Sequence, residues 1–114
     1  MNIGERAVGE AVVLSPDGRL DSNTSEAFEQ AVMDKIDSGK AKMIIDLSEL
    51  EYISSAGLRV LLMAAKQVKS GNGALALCGL KDHIREVFEI SGFLPILTIV
   101  DDESAALAAV GASA

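Results

Sequence analysis

The sequence predicts a single α/β domain with a mixed sheet of four to five strands and about four helices. Apolar runs of strand length alternate with segments of helical periodicity, which favours parallel neighbouring strands. Before them, two extended runs flank Val8-Gly9-Glu10, which predicts an antiparallel hairpin and hence a mixed sheet. The 114 residues suffice for one core. We expect one domain, 1–114, with its core at about 2–110 and a frayed tail at 111–114.

The N-terminal hairpin should lead into a first helix. Its strands are expected over Asn2–Ala7 and Ala11–Ser15. Asn23, with Glu26 three residues later, is typical of a capping box and predicts the start of the helix. The apolar residues of that helix recur at helical spacing and should face the core: Phe28, Ala31, Val32 and Ile36.

The remaining elements are predicted by apolar runs between turn residues. Strands and helices should alternate in this order: Ala41–Leu47, Leu58–Lys69, Ala74–Cys78, Asp82–Ile90, Ile96–Val100 and a last helix with its Ala-rich body at Ala105–Val110. Asp101 or Asp102 should cap the last helix, because an Asp carboxylate accepts from the free amides of a first turn.

Composition excludes several classes of function. With 17 acidic and 10 basic residues, the net charge of −7 argues against nucleic acid and against direct contact with an anionic membrane. No apolar run approaches the roughly 18 residues of a membrane span, and no secretory signal is visible, so we expect a cytoplasmic protein. Cys78 lies in an apolar run and should be a buried small hydrophobe. His83 has no partners at ligand or triad spacing, so we expect no metal, no cofactor and no catalytic residue.

A pair of serines, Ser54 and Ser55, stands at the start of the second helix. Such serines are favoured as N-caps, because the hydroxyl accepts a hydrogen bond from an unpaired amide of the first turn. The free amides and the positive end of the helix dipole also favour a negative group there. The pair therefore fits either a simple cap or a phosphorylation site.

The second helix should place one apolar face on the sheet: Leu58, Leu61, Leu62, Ala65 and Val68. Met63 falls on the opposite side near Arg59, with Val60 beside it. Both apolar residues should be partly exposed next to the serine turn. They could form a protein-docking surface, or another helix could cover them.

Five strings, in their order and spacing, resemble an anti-sigma factor antagonist of the STAS-domain family. They are Gly18-Arg19-Leu20-Asp21, Ile44-Ile45-Asp46-Leu47-Ser48, Tyr52-Ile53-Ser54-Ser55-Ala56-Gly57-Leu58-Arg59-Val60-Leu61, Leu77-Cys78-Gly79-Leu80 and Phe88-Glu89-Ile90-Ser91-Gly92-Phe93. The resemblance extends over nearly the whole chain and implies a single STAS-like domain.

The resemblance implies a partner switch. In that family the unphosphorylated antagonist binds an anti-sigma factor that is also a serine kinase of the GHKL type, which frees the sigma factor. The kinase phosphorylates the antagonist and ends the interaction, and a metal-dependent serine phosphatase reverses the modification. Aligned on Gly57, the phosphorylated position falls on Ser55, with Ser54 as the second choice.

We expect a partner-binding surface around that serine, formed by Asp21, Ser54, Gly57, Arg59, Val60 and Met63. Asp21 corresponds to a family position that contacts the kinase, although a turn carboxylate is an equally good interpretation. Arg59 could pair with a phosphate, with an acidic partner residue, or with solvent only. Asp46 should be structural and bond nearby loop amides.

Other functions fit the sequence less well. A receiver domain would need an acidic pair after its first strand and a Lys after its last, and neither is present. A serine hydrolase would need a GxSxG turn and a base, so we expect no enzymatic activity. A STAS scaffold subunit of a transporter or signalling complex, which meets no kinase, remains an alternative.

Overall fold

A computed structural model of the chain describes residues 2–92, 95 and 97–112. Its elements in chain order are β1 (Ile3–Val8), β2 (Ala11–Pro16), β3 (Gly18–Leu20), α1 (Ser25–Asp37), β4 (Lys42–Asp46), β5 (Leu50–Ile53), α2 (Ser55–Ser70), β6 (Ala74–Cys78), α3 (Asp82–Ser91), β7 (Ile99–Val100) and α4 (Glu103–Ala109).

The main sheet is mixed, as the sequence predicts. Its five strands follow the order β1-β2-β4-β6-β7. Strand β1 pairs with β2 in an antiparallel hairpin whose register joins Val8 to Ala11, and the other neighbours are parallel. A second, two-stranded sheet pairs β3 with β5 in parallel. The antiparallel edge strand and the parallel remainder therefore confirm the predicted fold class.

The core lies on both faces of the main sheet, because side chains alternate along each strand. In β4, Met43 and Ile45 pack on the side of α1, α2 and α3, whereas Ile44 packs on the side of α4. The α4 layer consists of small and medium side chains, which lets this short Ala-rich helix approach the sheet closely: Ala11, Val13, Ile44, Ala76, Cys78, Ala106, Leu107 and Val110.

The short strands β3 and β5 are absent from the sequence-based prediction. The sequence predicts no strand between Ala41–Leu47 and the second helix, but the chain is extended from Leu50 through Ile53. In β5 the terminal Leu50 and Ile53 are buried and the two residues between them are exposed. Strands of three and four residues are too short to show a clear alternation of apolar and polar residues, so only the pairing between them defines these strands.

Two helix starts also differ from the prediction. The Asn23–Glu26 capping box is wrong: Thr24 occupies the N-cap of α1 without a side-chain bond. Helix α2 begins at Ser55, earlier than the predicted Leu58. At α4 the choice between two aspartates is resolved, since the Asp102 carboxylate accepts from the Ala105 amide at 2.9 Å.

Two further expectations fall partly outside the described residues. Of the predicted strand Ile96–Val100, the structure has Ile99–Val100 as β7, and residue 96 lies outside the described part of the chain. Residues 113 and 114 of the expected tail lie outside it as well. Among the described residues, no helix combines the length and hydrophobicity that a bilayer crossing requires.

We expect Cys78 to be unreactive in the folded protein. Its side chain is 1% exposed, and burial, with the nearby Asp46 carboxylate, raises the pKa of the thiol to about 12. The thiolate is the nucleophile, so a thiol reagent such as DTNB should label native protein at pH 8 hardly at all and unfolded protein fully. Rapid labelling without denaturant would contradict this placement.

The same raised pKa predicts a stability that depends on pH. A thiol whose folded pKa is raised stabilises the fold fully below its unfolded pKa and loses that contribution as pH rises. The free energy of unfolding should therefore fall between about pH 9 and 12 more steeply than in a Cys78→Ala variant. Parallel urea titrations of the two proteins measure this difference.

Candidate functional site

Strands β3 and β5 bring two segments with predicted functional residues side by side: the turn at Asp21 and the pair Ser54 and Ser55. Their register pairs Leu20 with Ile53, and the Ser54 amide donates to the Leu20 carbonyl at 2.9 Å. Because the strands are parallel, the residues that follow them emerge at the same end of the pair. Asp21 and Ser54 therefore lie next to each other, at the mouth of α2.

Gly57 holds the first turn of α2 against β3. A Cβ at this position would lie 2.8 Å from the Leu20 carbonyl oxygen and 2.9 Å from the side chains of Leu20 and Ile53. Real Cβ atoms do not approach other atoms so closely, so a larger residue would push the helix away from the strand pair. Gly57 is also buried, which means that it positions the site and offers no surface to a partner.

The two serines have different environments. Ser54 is the N-cap, with extended backbone, and its Oγ accepts from the Gly57 amide at 3.3 Å. Ser55 is the first residue of the helix, is exposed, and takes no part in that cap. The hydroxyl of Ser54 is thus engaged in the fold, and the hydroxyl of Ser55 faces solvent.

The positive end of the α2 dipole lies at Ser55 and by itself favours a negative group. Helix α2 begins there, and its first turn contains no acidic side chain that would neutralise the positive end of the dipole. Its last turn carries Lys69, which complements the negative end. A phosphate at position 55 would therefore be compatible with the helix that carries it.

Asp21 is a turn carboxylate in this structure. Its Oδ1 accepts from the amides of Asn23 at 2.9 Å and Thr24 at 3.2 Å. The Asn23 amide, helped by Thr24 and Arg19, holds the pKa of this carboxyl below its usual value. Asp21 is thus a fixed negative charge at the mouth of α2, and the turn interpretation left open by the sequence is confirmed.

Arg19 and Tyr52 form a contact that the sequence analysis missed. The Arg19 guanidinium carbon lies 4.1 Å from the centre of the Tyr52 ring, a cation–π distance. Its Nε also lies 3.5 Å from Asp21 Oδ2. The contact follows from the register of β3 and β5, which pairs Arg19 with Tyr52. Only recognition of both strands could have revealed it from the sequence.

The buried face of α2 is rotated relative to the prediction. Val60, expected to be partly exposed, is only 4% exposed, and Ala64 is fully buried. Leu62 and Ala65, expected on the sheet, are only half-buried. Helix α1 packs against α2. Val60 belongs to the same core cluster as Phe28 and Val32 of α1, which accounts for its burial.

On the outer side of α2, Arg59 is exposed and Met63 is half-buried. Of the residues assigned to partner binding, Asp21, Ser54, Arg59 and Met63 therefore reach the surface around Ser55, whereas Gly57 and Val60 do not.

The other reactive side chains have structural surroundings. The Asp46 carboxylate accepts from the Ser48 amide at 3.0 Å, as expected of a loop-bonding residue. His83 Nε2 lies 2.6 Å from the Glu51 carbonyl oxygen and donates to it. Within the described part of the chain, no cluster of His, Cys, Asp and Glu could hold a metal ion.

Comparisons with known proteins give a consistent result. The family model of the STAS domain matches residues 4–106. BtrV of Bordetella bronchiseptica, a provisionally named anti-sigma factor antagonist, is 48% identical over 92 residues, which cover 81% of this chain and 79% of BtrV. The crystal structure of a provisionally named anti-sigma factor antagonist of Thermotoga maritima matches with a TM-score of 0.90 at 26% identity, over 96% of this chain and 94% of that one.

The fold is also similar to that of the Bacillus anti-sigma factor antagonist SpoIIAA. The unphosphorylated form matches with a TM-score of 0.72 at 21% identity, over 91% of this chain and 92% of SpoIIAA. The phosphorylated form matches with 0.71 at 23% identity, over 91% and 96%. Both states of that protein therefore share the fold described above.

We expect Gly57→Ala to destabilise the protein by about 1–3 kcal/mol, since the new Cβ would overlap with the Leu20 carbonyl and two buried side chains. Gly71→Ala is the matched control: its φ is −91°, and its new Cβ would find no atom closer than 3.7 Å. Urea unfolding followed by circular dichroism measures both. Equal stabilities of the two variants would contradict the close approach at Gly57.

The two serines should differ in their effect on stability. Ser54→Ala removes the N-cap and should cost about 1 kcal/mol, whereas Ser55→Ala should change the free energy of unfolding by less than about 0.5 kcal/mol. The same urea titration separates them. A larger loss for Ser55→Ala than for Ser54→Ala would reverse the assignment of the cap.

Proposed function

The chain belongs to the STAS-domain family, and we propose that it is an anti-sigma factor antagonist that acts by partner switching. Unphosphorylated, it binds an anti-sigma factor that is also a serine kinase of the GHKL type, and the sigma factor is released. The observation that carries the proposal is Ser55, an exposed hydroxyl on the first residue of α2, next to a different serine that already caps the helix. The identity of 48% to BtrV supports the same function.

The proposed modification is a phosphoryl transfer to Ser55. The Ser55 Oγ attacks the γ-phosphorus of ATP, and the bond from that phosphorus to the β–γ bridging oxygen breaks. ADP leaves, and the hydroxyl proton passes to a base of the kinase. A metal-dependent serine phosphatase reverses the modification: water attacks the phosphorus and restores the hydroxyl with release of inorganic phosphate. The protein is then the substrate of these enzymes and has a regulatory role of its own.

Phosphorylation should end binding through local charge. It adds about −1.5 to −2 charges and three acceptor oxygens at the mouth of α2. In a docked complex this charge would lose its water, which is costly unless a cation of the partner receives it. The fold need not change, because Ser55 is exposed and its phosphate would meet the positive end of its own helix.

The proposed docking surface consists of the residues around Ser55 that reach the surface: Arg59, which is exposed, and Asp21, Ser54 and Met63, which are half-buried. Asp21 is held by amides of its own turn, so it offers a partner a carboxylate that is already oriented. Gly57 and Val60 support this surface from below through their packing. The cytoplasm is the expected compartment, because ATP and the transcription machinery are located there.

The modification can be tested by incubating the purified protein with ATP and a lysate of its own host. We expect peptide mass spectrometry to find phosphate on Ser55 and none in a Ser55→Ala control. Phosphate on Ser54 would keep the function and correct the residue. Absence of phosphate on both serines, in a lysate with demonstrated serine kinase activity, would contradict the proposal and favour a scaffold that meets no kinase.

Binding to the kinase should depend on the charge at position 55. Ser55→Asp should lose most of the affinity for the purified kinase, while its circular dichroism and melting temperature stay close to those of the wild type. The reason is that position 55 is exposed and accepts a negative group without repacking. Unchanged affinity in this variant would argue against a switch based on charge.

A further inference from the structure

Positive charge is concentrated on α2. This helix contains three basic residues, Arg59, Lys66 and Lys69, and no acidic one. The rest of the chain holds the other seven basic and all 17 acidic residues. Helix α2 is therefore a cationic element in a protein whose overall charge is −7. Such segregation gives the surface a local field of the opposite sign.

The cations of α2 also differ from most others in their pairing. Five basic side chains elsewhere form ion pairs: Arg6 with Glu103, Arg19 with Asp21, Lys35 with Glu5, Lys42 with Glu10, and Lys81 with Glu51. Among the described residues, no carboxylate lies within 4.0 Å of the charged groups of Arg59, Lys66 or Lys69. Within the described fold, these three charges have no acidic partner.

Apolar side chains lie between two of these cations. Leu62 and Met63 are only half-buried, and together with Arg59, Lys66 and Gln67 they line a shallow groove on the outside of α2. At 100° per residue, Ser55, Arg59, Leu62 and Lys66 lie within an arc of about 60°. The groove is therefore continuous with the proposed phosphorylation site.

We propose that this outer face of α2 receives an acidic segment of the kinase with at least one apolar side chain. The carboxylates would meet Arg59 and Lys66, and the apolar side chain would pack on Leu62 and Met63. The inference rests on the proposed function and adds to it the chemistry of the partner and a contact at Lys66, beyond the first turn of α2. Opposite charges would steer the approach, and the apolar contact would retain the partner.

The charges on α2 also explain why phosphorylation should weaken binding to the kinase. A phosphate on Ser55 would lie one turn from Arg59, on the same face of the helix. It carries the same sign as the carboxylates of the kinase. The phosphate would therefore repel these carboxylates and also compete with them for Arg59. Both effects would weaken binding.

A polyanion such as nucleic acid is the other conceivable ligand of a cationic face. Three cations on a chain with 17 acidic residues give it little net attraction. Binding of DNA, with loss of that binding in the variant below, would identify a different ligand and overturn the proposal.

The test is the affinity of the purified host kinase that phosphorylates Ser55, measured by isothermal titration. Lys66→Glu should weaken binding at least about tenfold, as expected for reversal of a charge opposite an acidic patch. Lys40→Glu is the matched control. It makes the same charge change at an exposed residue that has no carboxylate within 4.0 Å among the described residues. Lys40 shares a neighbouring cavity with Gln67 but does not line the groove, so it separates direct contact from a general change of charge. It should change the affinity less than about twofold.

The outcomes separate the inference from the proposed function. If Ser55→Asp loses binding but Lys66→Glu behaves like Lys40→Glu, the inference is wrong and the function stands. If the wild-type protein does not bind the kinase, both fail. Because Lys66 is exposed, its variant should melt like the wild type. The wild-type affinity should also fall more steeply with salt than that of Lys66→Glu, since a screened charge pair is lost in the variant.

Discussion

The site depends on one close contact, the approach of Gly57 to the Leu20 carbonyl. Because no side chain intervenes there, the first turn of α2 rests directly on β3 and β5. The bond from the Ser54 amide to the same carbonyl ties the loop to the strand pair. These interactions bring the Asp21 turn beside the serines. Neither strand of the pair belongs to the main sheet, so this local arrangement carries the site.

The two adjacent serines illustrate how a rigid site can hold a modifiable group. The Ser54 hydroxyl oxygen accepts the hydrogen bond that caps α2, so the stability of the fold depends on this residue. Ser55 is exposed and does not cap the helix, so a phosphate can be added or removed there without breaking the capping hydrogen bond. Beyond it, the unpaired cations of α2 offer a partner opposite charge. Stability and regulation are thus assigned to neighbouring residues with different roles.

Much of the fold could be predicted from the sequence, because hairpin spacing and alternating apolar runs are local signals. The buried side of α2 could not be predicted in the same way. Val60 is buried in a core cluster that includes Phe28 and Val32 of α1, and helical periodicity does not record such tertiary packing. Strands β3 and β5 are too short to show an alternating pattern in the sequence. The Arg19–Tyr52 contact, which depends on their pairing, was therefore also missed. The residues alone left the two serines undecided, and the choice of Ser55 came from the family resemblance and stays a proposal.

The central claim is that phosphate on Ser55 changes the surface and leaves the fold intact. Backbone amide NMR spectra of the unphosphorylated and phosphorylated protein test it most directly. The account predicts shift changes confined to residues near 20–24 and 54–63, with unchanged hydrogen exchange in the main sheet. Changes that extend through β4 and β6, or loss of exchange protection there, would contradict a local switch and indicate refolding.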